Sequence, residues 1–471
     1  MNRTLVALAV AVFISGCAVV QPLPPKLDLP AGLATPAQET LLQNWWLAFD
    51  DPVLTKLIDE AFAQNYDLRT AMARIEAARS QVLLAQSELA PDINLNVAPS
   101  RTRISGVGSQ RLPIGTPLTS NDFRVAIEMS YELDVWGKYR SGALASQNDL
   151  TAAQYYRETV RIGVAADVAN AYFRLRAADA EMGVLESTLK LRTETAQLLR
   201  DRFEGGLIGE YDVRSAEAER FAVLADIART KRAIGQLETA VATLTGRSPQ
   251  AVFAPDVARG TAIDAATVVP PLPQGLPVEI LGRRPDIRRS EALLAGSELR
   301  IQQARADYYP SFRLGAFFGS EAATTGALFT GPAGIWSLGL GILQPLLALK
   351  AIEAQVELAK SNNDRAAVEY LQTVQIAFGE VRDALVANAS ARDVLAAETR
   401  RRDEIAKALE VAELRYRAGR TSFLEVIDAQ RTLLAAETLR IDAARDAKLS
   451  TVDFAKALGG GWNPAQLSAG R

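Results

Sequence analysis

Few side chains in this 471-residue sequence can do covalent or metal chemistry. It contains no histidine, which excludes Ser-His-Asp and Cys-His catalysis, histidine zinc sites and imidazole proton relays. Its one cysteine, Cys17, can make neither an internal disulfide nor a multi-thiolate metal centre. Carboxylates are plentiful, and one spacing stands out. Glu425 and Asp428 lie three apart in helix-favouring sequence, so both project from one helix face. By spacing alone such a pair is solvated surface charge. With 52 basic against 55 acidic residues the net charge is −3, a balance that argues against a nucleic-acid partner, whose binders are usually basic. Nothing resembles a nucleotide-binding loop. The composition suits an enzyme poorly and leaves the chain no cofactor chemistry beyond its cysteine.

That cysteine has another chemistry open to it. Met1-Asn2-Arg3 leads into the apolar run Leu5–Ile14 and then Ser15-Gly16-Cys17, the basic, apolar and small-residue regions of an export signal. The run is far shorter than the roughly 20 residues of a membrane-spanning helix. Ile14-Ser15-Gly16-Cys17 also resembles a bacterial lipobox, which implies removal of residues 1–16 and a covalent lipid on Cys17. Ala18, rather than aspartate, implies sorting to the outer membrane.

The elements that must position the acids and the anchor are written twice. Ala73–Arg79 leads to Glu88-Leu89-Ala90-Pro91, and Glu298-Leu299-Arg300-Ile301 leads to Tyr308-Tyr309-Pro310, with Pro310 lying 219 positions after Pro91. Arg202-Phe203-Glu204-Gly205-Gly206 is echoed by Arg415-Tyr416-Arg417-Ala418-Gly419 at an offset of 213. Each half runs helix, two strands, long helix, turn, long helix. We place repeat 1 at 71–250, with strands at about 92–103 and 122–136 and a helical hairpin at about 138–246. Repeat 2 covers 291–458, with strands at about 311–321 and 333–345 and a hairpin at about 347–458.

No proline interrupts 118–248 or 346–463. From Gly137 to Arg202 the helix would be about 95 Å long at 1.5 Å per residue. Val160, Val164, Val168, Tyr172, Leu175, Ala178, Met182, Leu185 and Leu189 recur there at coiled-coil spacing, as do Leu371, Val374, Phe378, Val381 and Leu385 in the second copy. Gly163 and Gly183 are candidate bend points. In 123–135 apolar residues alternate strictly with Arg124, Ala126, Glu128, Ser130, Glu132 and Asp134. That pattern suits a strand between lipid and a wet lumen, with Arg124, Glu128 and Glu132 facing the lumen. Four such strands are too few to close a barrel, and an open edge is not tolerated in lipid. If these are membrane strands, the chain must oligomerise to share one barrel. Two copies give a filled eight-stranded barrel, whereas three give twelve strands and a passage.

Four stretches stand together in this sequence: Trp45-Trp46, Phe49, Asp51-Pro52 and Asn65; Tyr131–Gly137; Ala171-Tyr172-Phe173-Arg174-Leu175; and Gly275-Leu276-Pro277 with Leu281 and Arg283-Arg284-Pro285-Asp286-Ile287-Arg288. In them the sequence resembles the bacterial outer membrane factor family, the TolC/OprM-type efflux ducts, and within it the NodT-like lipoproteins. The resemblance implies a mainly α fold with membrane β-structure: a homotrimer joining a 12-stranded β-barrel to an α-helical barrel across the periplasm. Segments 17–70 and 251–290 would then be equatorial, with 459–471 a C-terminal tail. The implied partners are a second and third copy, outer membrane lipid, a periplasmic adaptor and an inner-membrane pump of RND type. The implied activity is passive export. The resemblance also assigns Glu425 and Asp428 to acidic rings at the periplasmic aperture, and Asp212, Tyr416 and, more loosely, Arg420 to its latch. Gly206, Leu207, Gly419 and Thr421 would receive the adaptor. The alternative is a periplasmic coiled-coil adaptor or structural lipoprotein without a pore. It fits two hairpins and strands of membrane length less well.

Overall fold

The computed structural model describes residues 44–108, 113, 115–263 and 284–462. The export signal with Cys17, the rest of the stretch to residue 43, the linker portion 264–283 with Gly275-Leu276-Pro277, and the tail from 463 lie outside the described residues. The described chain forms two compact units, each drawn from both halves of the sequence. One unit takes 75–152 and 290–370, and the other takes 44–74, 153–289 and 371 onward.

The first unit holds a four-stranded antiparallel sheet in the order β1 (Asp92–Arg103), β2 (Thr119–Leu133), β3 (Ser311–Ala322) and β4 (Gly334–Leu343). Its register pairs Ile93 with Met129, Ile127 with Phe318 and Leu314 with Leu340. Alternation therefore sorts side chains onto two faces. One carries Asp92, Asp122, Arg124, Glu128, Glu132, Arg313 and Glu321; the other is the apolar face. Leu95 is 68% exposed, Phe318 71% and Trp336 76%, so nothing among the described residues covers that face. The strand expected over 122–136 runs instead over 119–133. Asp134 continues the alternation but ends the ladder, because its carboxylate accepts the Tyr139 and Arg140 amides at 3.1 and 2.9 Å. Gly137, at φ +74°, then turns the chain into the next helix. Just past the strand end, Trp136 donates to the Pro310 carbonyl at 2.8 Å and stacks on Tyr309 at 4.7 Å.

Helices supply the rest. In chain order they are α1 (Pro52–Gln64), α2 (Tyr66–Ser87), α3 (Lys138–Glu204), α4 (Glu210–Leu244), α5 (Pro249–Phe253), α6 (Pro285–Ala306), α7 (Leu349–Arg417) and α8 (Phe423–Ala457). Among the described residues no helix is long and apolar enough to cross a membrane. The duplication is visible in the lengths: α3 and α4 have 67 and 35 residues, α7 and α8 have 69 and 35. Helix α3 continues through both Gly163 and Gly183.

In the second unit Trp45, Trp46, Phe49, Leu54 and Ile58 bury themselves against Val168, Tyr172, Leu175, Val241 and Val452. Asp51 starts α1 by accepting the Val53 and Leu54 amides, and Pro52 occupies the first turn, where a missing N–H costs nothing. The seam of α3 is buried at Val164, Val168, Tyr172, Leu175 and Leu185. That of α7 is only partly so. Val374 and Val381 are buried, Phe378 and Leu385 are half-buried, and Leu371 is 46% exposed. Away from the seam, Ile376, Val386 and Leu414 are also exposed, so helix α7 carries apolar positions left open among the described residues.

Candidate functional site: hairpin tips and the charged strand face

The two hairpin tips, in the second unit, are built by the same local chemistry. In the first, the Gly206 amide donates to the Phe203 carbonyl and the Leu207 amide to the Arg202 carbonyl, both at 2.9 Å. In the second, the Gly419 amide donates to Tyr416 and the Arg420 amide to Arg415, again at 2.9 Å. Gly206 and Gly419 have φ of +72° and +69°, the left-handed closure that satisfies the last helix carbonyls. A shared cluster of Leu199, Val213, Ala216, Leu409, Phe423, Val426 and Ile427 packs the tips together.

Burial of Val426 and Ile427 turns Glu425 and Asp428 outward, and both acids are exposed. Glu425 lies in the first turn of α8, where the helix dipole favours a carboxylate. It accepts a hydrogen bond from the Thr421 hydroxyl and lies 3.8 Å from Arg415. Leu207 is 75% exposed at the first tip. Of the latch residues named from the sequence, Tyr416 is engaged, but by Arg202. The guanidinium donates to its hydroxyl at 3.1 Å and lies 5.8 Å from its ring centroid. Neither Asp212 nor Arg420 reaches Tyr416 within the chain.

One polar link near the tips has no counterpart in the spacing or motifs of the sequence. Glu219, on α4, bonds Arg192 of α3 at 2.7 Å and Arg431 of α8 at 2.7 Å. One carboxylate thus joins both hairpins. Hydrogen bonding from Arg431 and the nearby Arg192 charge hold its carboxyl below the usual range, against the opposing effect of burial. Arg431 lies three residues beyond Asp428, but only the fold brings it to Glu219.

In the first unit, the charged strand face is paired internally. Arg124 meets Glu128 at 3.1 Å and lies 4.6 Å over the Phe317 ring. Asn96 donates to Glu128 at 3.3 Å, and Arg313 meets Glu132 at 3.2 Å. Cations sit against carboxylates here, giving a face of mixed sign.

Residues 57–247 and 276–460 match the family described as outer membrane efflux protein. The probable efflux pump outer membrane protein TtgC of Pseudomonas putida is 32% identical over 473 residues, covering 98% of this chain and 96% of the relative. The pyoverdine export outer membrane protein OpmQ of the same species is 29% identical over 470 residues, covering 98% of each. Among solved structures, the CmeC outer membrane channel of Campylobacter jejuni matches with a TM-score of 0.86 at 27% identity, over 95% of this chain and 97% of that one. The open state of the MtrE outer membrane channel of Neisseria gonorrhoeae matches with a TM-score of 0.82 at 30% identity, over 94% and 98%. The duplicated hairpins, the two-faced sheet and these likenesses agree: the chain belongs to the outer membrane efflux protein family and is an efflux channel protein of the outer membrane.

Proposed function

We propose that three copies of this chain close one exit duct, anchored by a lipid on Cys17 and fed through a periplasmic adaptor by an RND-type inner-membrane pump. The observation that carries this reading is the sheet. Among the described residues β1 and β4 are edges of a four-stranded sheet whose apolar face is exposed. In lipid such edges must be paired by another copy. Twelve strands from three copies leave a passage lined by Arg124, Glu128 and Glu132, and the exposed apolar positions of α7 gain partners in the same step. Names of relatives such as TtgC, a pump's outer membrane component, support a pump as partner.

The threefold axis turns Glu425 and Asp428 into two rings of three carboxylates, which favour cations. The tips at Gly206, Leu207, Gly419 and Thr421 receive the adaptor, whose helices part them. Asp212, Tyr416 and Arg420 serve the closed state between copies, with Arg202 holding Tyr416 within each copy. The duct itself is passive, and energy comes from the pump.

The test is single-channel conductance of the purified protein in a planar bilayer, with oligomer mass measured in parallel. A trimer forming small cation-selective pores supports the duct, as does a silent trimer that conducts once adaptor is added. A lipidated monomer without pores overturns it.

A further inference from the structure

The apolar face of the sheet carries only two charged residues, and both are arginines at one end. Following the register, this face consists of the odd positions of β1 and β2 and the even positions of β3 and β4. It runs from Leu133, Phe312 and Ile342 to Pro99, Phe123 and Ala322 without a charge. Two further rows follow on the β1–β2 hairpin, where Arg101 pairs with Asn121 and Arg103 with Thr119. No carboxylate stands anywhere on this face; the acids of the sheet all lie on the other one. Both arginines are exposed, and neither has an ion-pair or side-chain hydrogen-bond partner. On the opposite face, by contrast, Arg124 and Arg313 each sit on a glutamate.

The position of the pair follows from strand geometry. The ten steps from Leu133 to Phe123 rise about 34 Å, or roughly 25 Å along the membrane normal at a tilt near 40°. That is the height of the apolar band of an outer membrane barrel. The Trp136–Tyr309 stack marks the end of the sheet where the helices join, as aromatic girdles do at a membrane border. Arg101 and Arg103 therefore stand about 5 and 10 Å beyond the opposite border, within the headgroup layer of the outer leaflet. They are about 7 Å apart on one side of a strand, each free to present its planar donor fork to a phosphate.

We propose that Arg101 and Arg103 form a binding site on the lipid-facing surface for the phosphate groups of an anionic glycolipid in the outer leaflet. The proposal rests on the reading of these strands as membrane-spanning. Three copies would make three such sites, separate from the lumen and from the hairpin tips. The pair would hold lipid against the edge strand β1, where neighbouring copies meet.

The probe is a bis-phosphorylated glycolipid added in detergent to the full-length purified protein, with bound lipid counted by native mass spectrometry. Wild-type protein is expected to retain it, R101A/R103A to bind at least tenfold less, and R101K/R103K, which keeps the charge without the planar fork, to bind at a level between the two. Two arms need no variant. The dephosphorylated glycolipid should bind the wild type at least tenfold less, and inorganic phosphate at equal concentration should not displace the lipid. Binding by R101A/R103A within twofold of wild type, or full displacement by inorganic phosphate, overturns the site. Pore formation separates the two readings. Wild-type protein that neither inserts nor binds lipid defeats the membrane assignment, whereas normal insertion with unchanged lipid binding in R101A/R103A defeats this proposal alone.

Discussion

The Tyr172 hydroxyl donates to the Asp51 carboxylate at 2.7 Å across 121 positions of sequence. The same carboxylate caps α1 through the Val53 and Leu54 amides and takes the Thr261 amide at 3.0 Å. The Gly260 amide in turn donates to the Tyr172 hydroxyl at 3.0 Å. Asp51 is 4% exposed and Tyr172 fully buried. One acid thus ties the start of α1, the first long helix and the inter-repeat linker together.

Removing either partner should therefore cost stability in a fixed order. Tyr172→Phe deletes one buried donor and one acceptor, a loss of about 1–3 kcal/mol. Asp51→Ala also removes a helix cap, worth about 1 kcal/mol more. Chemical unfolding of the detergent-solubilised protein should rank wild type above Tyr172→Phe above Asp51→Ala. An Asp51→Ala variant as stable as wild type would show that the linker is held by other contacts.

The same bond predicts an alkaline limit. Burial first, and the Asp51 carboxylate second, raise the Tyr172 phenol above its ordinary value of 10.0. The folded state therefore keeps a proton that the unfolded state releases, so this stabilisation is complete below about pH 10 and falls away as pH rises further. Stability measured from pH 9 upward should decline less steeply in Tyr172→Phe than in wild type.

Much of this architecture was legible before the fold, and the omissions share a cause. Periodicity located the long helices, the strand faces and both glycine turns, because 3.6- and 2-residue repeats are local properties of the chain. Asp51-Pro52, Asn65 and Arg284 stand out in the sequence only as a resemblance, and Tyr172 only as that and as an apolar seam position, with no sign of what its hydroxyl does. The structure gives each a physical reason. Asn65 accepts the Asp67 and Leu68 amides while donating to the Leu244 carbonyl at 2.8 Å. Arg284, largely buried, reaches Asp286, Glu380 and the Ala457 carbonyl, each at 2.7 Å. Partners 96 to 179 residues apart carry no periodic signal. The misplaced end of β2 is the converse case, in which alternation persists through Asp134 but a cap overrides it.

One sheet glycine should prove indispensable while its neighbours are not. A Cβ at Gly319 would collide with the Val125 carbonyl and with Ala126, which is 1% exposed. A Cβ at Gly315 or Gly339 would meet open space. Gly319→Ala should cost about 1–3 kcal/mol through overpacking and lower the yield of membrane-inserted protein. Gly315→Ala and Gly339→Ala should insert like wild type, as measured by extraction from outer membranes.

The acidic pair at the second tip makes a prediction about permeation. If Glu425 and Asp428 line the aperture as two threefold rings, Glu425→Ala with Asp428→Ala should raise single-channel conductance and lower cation preference. The change should cost little stability, since both side chains are exposed. Unchanged conductance and selectivity would move the constriction elsewhere.

The Glu219 junction should separate stability from gating. Arg192 is 3% exposed, so Glu219→Ala would leave a buried guanidinium without its carboxylate, a loss of about 3–5 kcal/mol. The Arg431 side chain is 57% exposed, and exposed pairs contribute only about 0–1 kcal/mol. Yet Arg431 is the member on α8, so Arg431→Ala should remove this polar tie between the second hairpin and the first while the fold stands. Its conductance should exceed that of wild type, with unfolding little changed. Acid should act on the same link. Because Glu219 titrates below its ordinary range, the bond is intact above about pH 4.5 and is lost as pH falls through the lowered value. Wild-type conductance should therefore rise as pH falls below the ordinary carboxylate range, relative to pH 7, by a smaller factor in Arg431→Ala, where this contact to α8 is already gone. Equal acid responses in the two proteins would place the pH-sensitive contact elsewhere at the tips.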